Sequence, residues 1–160
     1  MGPFRVSRAA PGAPGGGEPE PRRPAALVDE LRLLHRLAAD AVARQPEADA
    51  VLAGVRDEAP LAVLARRGGP LARHYAELAG RTRLVQGAAA HGDADTLHRL
   101  LSYHAELLRQ ALELAATWRA SERLAVERRR LHGLGIPGAK LRELERELRA
   151  LLELEFDLEA

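Results

Sequence analysis

The chain has 160 residues and a formal net charge of +1, with 46% hydrophobic residues, only 3% aromatic residues and no cysteine. The missing cysteines exclude disulfides, thiolate zinc sites and cysteine nucleophiles, and the near-zero net charge argues against a dedicated nucleic-acid-binding protein. No apolar run approaches the roughly 20 residues that a membrane-spanning helix needs, so we expect no membrane contact. Ala and Leu supply most of the apolar residues, a composition that suits thin helical interfaces.

The first 24 residues are rich in proline and glycine. Such a composition cannot bury enough apolar surface to offset the entropy lost on ordering, so segment 1–24 is predicted to be a disordered tail. From residue 25 onward the apolar residues recur at helical spacing. The sequence therefore predicts an all-α protein, in which a helical coiled-coil region over 25–160 forms an elongated, hairpin-like subunit.

Proline and glycine residues divide this region into several predicted helices. A Gly-Gly-Pro turn at 68–70 is predicted to interrupt the middle of the chain, and a Gly-Ile-Pro-Gly break at 135–138 is predicted to precede the last helix. The predicted helices, in chain order, cover about 24–45, 48–56, 61–67, 71–91, 93–131 and 139–160.

The helix predicted over 93–131 has the clearest pattern. Apolar residues recur at alternating four- and three-residue steps along one stripe, and leucines recur every seven residues along a second stripe. This spacing keeps one apolar seam facing a partner and is typical of coiled coils. If the seam is uncovered, the isolated chain is expected to self-associate. The predicted partner interface comprises Leu97, Leu100, Leu101, His104, Leu107, Leu108, Leu114 and Trp118, with Leu141, Leu144, Leu148 and Leu151 of the last helix.

Histidines are the main candidates for chemistry. His91, Asp95 and His98 share one helical face, where two imidazoles and a carboxylate are available to a metal. Gly92 interrupts this face and no second histidine-rich segment completes a ligand shell, so we interpret these residues as a solvated helix start. His104 is interpreted as a polar seam residue that fixes register, with a pH-sensitive interface as the alternative. The sequence predicts no catalytic residue, no cofactor and no metal site.

The end of the predicted long helix carries a basic cluster that only two glutamates relieve. Its simpler interpretation is a solvated face with ion pairs at helical spacing. The alternative is contact with an acidic partner surface, such as tubulin tails, RNA or a phosphoprotein. The cluster comprises Arg119, Arg123, Arg128, Arg129 and Arg130, with Glu122 and Glu127 among them.

Three short segments suggest a family. The pair Tyr103-His104 precedes the run Leu112-Glu-Leu-Ala-Ala-Thr-Trp118, and Ile136-Pro137 leads into a final leucine-rich helix. Over roughly residues 57–160, these segments resemble the second subunit of augmin, the assembly that recruits the γ-tubulin ring complex to existing microtubules. The stretch before the Ile-Pro pair is about one helical turn longer than in the family, an insertion that a coiled coil absorbs as a stutter.

The resemblance implies a non-enzymatic coiled-coil subunit that supports microtubule-dependent microtubule nucleation, spindle assembly and centrosome integrity. It implies a cytoplasmic, cytoskeletal location at the spindle and centrosome. The implied partners are other coiled-coil subunits and, indirectly through them, microtubules and the γ-tubulin ring complex. The residues alone leave two alternatives open: a small helical chaperone or adaptor of the flagellar-export type, and a self-contained helical bundle with a histidine metal site.

Overall fold

The computed structural model describes residues 25–117 and 121–157, and the regular structure in these two ranges is entirely helical, which confirms the all-α class. A short 3-10 turn, Thr82–Leu84, extends the third helix. The tail 1–24, the interface residue Trp118 and Arg119 lie outside the described residues, so the tail stays a prediction. The helices are α1 Ala25–Ala43, α2 Gln45–Arg56, α3 Leu61–Arg81, α4 His91–Thr117, α5 Glu122–Arg129 and α6 Gly135–Asp157.

Helices α3 and α4 form the most extensive helix pair of the fold. Near one end of the pair, the His98 Nδ1 atom lies 2.9 Å from the Ala79 carbonyl oxygen. Near the other end, the backbone of Gly68 lies against the side chain of Leu112. Because low residue numbers on α3 face high numbers on α4, these two helices are antiparallel.

Helices α1 and α6 form the second extensive pair and are also antiparallel. The His35 Nε2 atom lies 3.1 Å from the Glu145 carboxylate, and the Gln45 side-chain amide, at the start of α2, donates to the Gly138 carbonyl at 2.9 Å. Helix α4 also packs on α6, and α1 packs on α3, so the two pairs pack against each other as a four-helix arrangement. The elongated coiled-coil hairpin is therefore not confirmed; the described helices form a bundle.

One continuous apolar core lies inside this bundle. Every helix except α5 contributes buried apolar residues to it, and α2 packs across α3 and α4 at one end. Because a helix of this length gains most of its stability from burying an apolar stripe, mutual burial of these stripes holds the fold together. The large, fully buried side chains of these stripes include Leu34, Leu37, Leu52, Tyr75, Leu78, Leu97, Leu101, Leu108, Leu141 and Leu148.

Helix α3 runs without interruption through residues 68–70, so the predicted turn there is wrong. Gly68 is buried where α3 crosses α2 and α4, and a Cβ atom there would lie 3.0 Å from Val51 Cγ1 and 3.1 Å from Leu112 Cδ2. The glycine therefore allows close helix packing instead of marking a turn. Pro70 removes one intrahelical hydrogen bond, but its position is exposed and the tertiary contacts on the other side of α3 outweigh that loss.

The helix predicted over 93–131 is also wrong in extent. Helix α4 ends at Thr117. A separate helix, α5, begins after Ser121, whose backbone is extended. The Ser121 hydroxyl accepts a hydrogen bond from the Arg123 backbone N–H at 3.2 Å. This contact satisfies one of the free donors at the start of α5, which is what serine does at a helix N-cap.

Helix α6 begins at Gly135, one turn earlier than predicted, and includes the Ile-Pro pair in its first turn, where proline is tolerated. The Asp49 carboxylate, from α2, accepts the Leu134 backbone N–H at 2.8 Å. Gly133, just before it, has a φ of +77°, and a Cβ atom there would lie 2.5 Å from Asp49 Oδ1. The connection between α5 and α6 is therefore anchored on α2.

Candidate interaction groove

The candidate metal ligands do not converge. His98 hydrogen-bonds to the Ala79 carbonyl, and Asp95 pairs with Arg99 at 3.4 Å. Within the described part of the chain, no group of three or more His, Cys, Asp or Glu side chains is placed to hold a metal ion. His98 therefore has a packing role between α3 and α4, and Asp95 belongs to a surface ion pair on α4.

His104 is a polar residue inside the core. Its Nδ1–H donates to the Leu100 carbonyl at 2.6 Å, and its ring lies 5.1 Å from the ring of Tyr75, whose hydroxyl donates to the Ala41 carbonyl at 2.9 Å. Burial lowers the pKa of His104 below its usual value, although the Leu100 hydrogen bond and the charge of Asp49 act to raise it. The imidazole is thus held in its neutral form between α3 and α4.

We expect the free energy of unfolding to fall as the pH drops below about 6.5, the usual histidine pKa in an unfolded chain. Because the folded pKa of His104 is lower, the unfolded state binds the proton first, so the stability present above this pH is lost as the pH falls toward the folded pKa. One such group gives a slope of up to about 1.4 kcal/mol per pH unit. Urea unfolding at a series of pH values measures it.

The matched variants for this pH dependence are His104→Gln and His132→Gln. Glutamine cannot titrate, so His104→Gln is expected to flatten the dependence, whereas His132, which is exposed, is expected to tolerate the change without altering it. An unchanged slope in His104→Gln would show that another group is responsible.

The first stripe of the predicted interface faces the protein's own core. Its members are covered by other helices of the same chain, so the expectation of an uncovered seam and of self-association loses its basis. The fully buried members are Leu97, Leu101, His104, Leu108, Leu141 and Leu148, and Leu144 is 6% exposed. The members of the predicted interface that are still accessible to a partner are the half-buried ones: Leu100, Leu107, Leu114 and Leu151.

An apolar groove runs between α4 and α6. Ile136 is 73% exposed and Tyr103 is 48% exposed, and both line this groove with Leu100, Pro137 and Leu144. Its volume is about 480 Å³. The groove thus joins the two helices that the sequence assigned to a partner interface, and its most exposed apolar groups are two side chains that the sequence analysis did not assign to it.

Charged side chains of both signs border the groove. Lys140, Glu143 and Glu147 follow one another at helical spacing along α6, and Arg99 stands on α4, already paired with Asp95. Flanking charges of both signs beside an apolar seam are typical of helix-to-helix contacts, where they select partner and orientation. The groove therefore has the chemistry of a surface that receives an amphipathic helix.

The predicted basic cluster does not form one continuous basic surface in its described part. Arg128 is buried, donating to the Arg56 carbonyl and to the Glu58 carboxylate, the latter at 2.6 Å. Arg130 pairs with Glu127 at 3.2 Å, as the helical spacing predicted. Arg128 thus fastens α5 to the end of α2.

Comparison with protein-family models, with curated proteins and with solved structures finds no match for this chain. Among the described helices, none is both long and apolar enough to cross a membrane. The features that bear on function are therefore the geometry of the α4–α6 groove and the resemblance of three short segments of the sequence.

Proposed function

We propose that this chain is a non-enzymatic helical subunit that binds a helix of a partner protein in the groove between α4 and α6. By its resemblance, the complex is augmin and the partner is another of its coiled-coil subunits. The chain would then support microtubule nucleation from existing microtubules by helping to recruit the γ-tubulin ring complex. It would act in the cytoplasm, at the spindle and the centrosome.

The exposed apolar pair in the groove is the observation that supports this proposal most. A single exposed leucine is ordinary on a protein surface. Ile136 and Tyr103, in contrast, line one groove together with other apolar side chains and so form a contiguous exposed apolar patch. Such a patch with a polar rim is typical of a protein interaction site. Covering the pair stabilises a complex by removing both side chains from water.

A helix is the occupant that fits this groove. Two packed helices present a furrow into which the side chains of a third helix interdigitate. The half-buried leucines on α4, Leu100, Leu107 and Leu114, recur every seven residues, so a partner helix lying along α4 meets one of them every two turns. Such a contact extends the bundle by one helix and supplies the coiled-coil character that the sequence predicted.

Two of the segments that resemble augmin meet at this groove. Tyr103, of the Tyr-His pair, and Ile136 and Pro137, of the Ile-Pro step, are 33 residues apart or more in the chain yet line the same furrow. If the resemblance came from helical composition alone, there would be no reason for its segments to share one surface. Their proximity supports a common role in binding a partner.

The test is affinity capture from native cells, followed by mass spectrometry. We expect the wild-type chain to capture augmin subunits and the double variant Tyr103→Glu, Ile136→Glu to lose them, because two carboxylates would have to be desolvated beneath the partner helix. The control variant, Leu84→Glu with Val126→Glu, also replaces two exposed apolar residues, but outside the groove. It is expected to capture the same subunits as the wild type.

Two results would contradict the proposal. Equal loss of capture in the groove and control variants would show that the groove is not the binding site. Recovery of secretion-apparatus substrates in place of augmin subunits would favour the export-chaperone alternative, which the closed bundle also suits because its own helices bury its core.

A further inference from the structure

Helix α3 and the turn that follows it carry an excess of arginine. Residues 61–84 contain five arginines, one glutamate and no other Asp, Glu, Lys or Arg, a net charge of +4 in a chain whose overall net charge is +1. All six of these side chains are exposed. The overall charge therefore hides a local basic surface, the basic face of α3, which consists of Arg66, Arg67, Arg73, Arg81 and Arg83.

These arginines lack the ion pairs that neutralise arginines elsewhere on the surface. On α4, Arg109 pairs with Glu106 at 2.6 Å, and hydrogen bonds from Arg109 and Gln110 hold the pKa of Glu106 at about 2. No arginine of the basic face forms an ion pair with a described residue, and three acids of the neighbouring α4, Asp95, Glu106 and Glu113, are already paired with arginines of α4 itself. The basic face therefore keeps its charge exposed and attracts anions.

The spacing of the basic face matches another helix. Arg66 and Arg73 are seven residues apart and Arg81 follows eight residues later. At a rise of about 1.5 Å per residue, these positions recur roughly every 10–12 Å along the solvent side of α3. A helix with acidic residues at seven-residue intervals presents carboxylates at the same interval, and the guanidinium group can bind each of them with two parallel hydrogen bonds.

We infer that the basic face of α3 binds an acidic helical segment of a partner protein. A nucleic acid fits less well, because the aromatic side chain of α3, Tyr75, is buried and offers no ring for base stacking. The basic face shares no residue with the α4–α6 groove, so this inference is independent of the proposed function.

The test uses the full chain and a synthetic helical peptide with pairs of glutamates at seven-residue intervals, labelled for fluorescence anisotropy. We expect binding that weakens as salt rises. The variant Arg66→Glu, Arg73→Glu is expected to weaken binding at least about tenfold, because each replacement turns an attraction into a repulsion. The matched control is Arg129→Glu with Arg146→Glu, which makes the same charge change at exposed positions on α5 and α6.

The control is expected to stay within about twofold of the wild type. The variant Arg66→Lys, Arg73→Lys keeps the charge but loses the paired hydrogen bonds, so it is expected to weaken binding, though less than the glutamate variant. A circular-dichroism melt of each variant verifies that the bundle is intact. The inference is overturned if the peptide does not bind, if the control weakens binding as much as the basic-face variant, or if a scrambled peptide binds equally well. Tighter binding of an oligouridine of equal charge would overturn it in favour of a nucleic-acid surface.

Discussion

Replacing Leu101 with alanine is expected to lower the free energy of unfolding by about 2–5 kcal/mol. Leu101 is fully buried in the middle of α4, so the shorter side chain leaves a cavity that the surrounding helices fill only in part. Its neighbour Leu100 is half-buried at the groove, and Leu100→Ala is expected to cost less, about 1 kcal/mol, because part of that side chain is already in water. Urea unfolding of the isolated chain measures both.

The difference between these two variants distinguishes a bundle from a partner-dependent coiled coil. If α4 were uncovered in the isolated chain, neither leucine would be buried and both replacements would have similarly small effects. The burial of the first stripe also makes a double variant, Leu101→Glu with Leu108→Glu, unsuitable for testing partner binding. Both positions are fully buried, so that double variant is expected to unfold the protein, since two carboxylates would lose their hydration inside the core.

The helical class and the buried stripe were predictable from the sequence, but the identity of the neighbouring helix was not. Leu97, Leu101 and Leu108 recur at the spacing of a coiled coil. Helices of an antiparallel bundle pack with nearly the same knobs-into-holes geometry, so the same spacing serves a contact within the chain or between chains. Only the positions of α1, α3 and α6 decide between the two.

The missed helix boundaries have a related cause. Gly68 and Pro70 carry the local signals of a turn, yet the packing of α3 on α2 and α4 keeps the helix continuous there. Conversely, Ser121 does not interrupt the helical spacing of the apolar residues, so the sequence pattern does not indicate a break there. The structure shows that Ser121 caps α5. Propensity is a weak local preference, and contacts distant in sequence override it.

The groove was predictable in part. Leu100 and Leu144 were assigned to an interface from their helical stripes, and both line the groove. Tyr103 and Ile136 belong to short motifs, but the helical pattern does not assign them to the interface, because neither continues a leucine stripe. Tyr103 stands three residues after Leu100 on the same side of α4, a signal that could have placed it there. The proximity of Ile136 depends on where α6 begins, which the sequence did not reveal.

Replacing Gly133 with alanine is expected to destabilise the protein by about 2–4 kcal/mol, through two effects that add. The backbone of Gly133 lies in the left-handed region, which a side chain disfavours, and the new Cβ atom would lie 2.5 Å from Asp49 Oδ1. The carboxylate must then move, which breaks its hydrogen bond to the Leu134 N–H and weakens the attachment of the start of α6 to α2.

Gly135→Ala separates these two effects. Gly135 also has a positive φ, of +55°, but no heavy atom of its surroundings lies within 4 Å of the position that a Cβ would take. Only the backbone cost of about 1–2 kcal/mol is therefore expected there. In an Asp49→Ala background the carboxylate is absent, so Gly133→Ala is then expected to cost only the backbone strain, as much as Gly135→Ala costs. Equal losses for Gly133→Ala and Gly135→Ala by urea unfolding would show that the Asp49 contact does not anchor α6, because the strain of the backbone alone would then account for both.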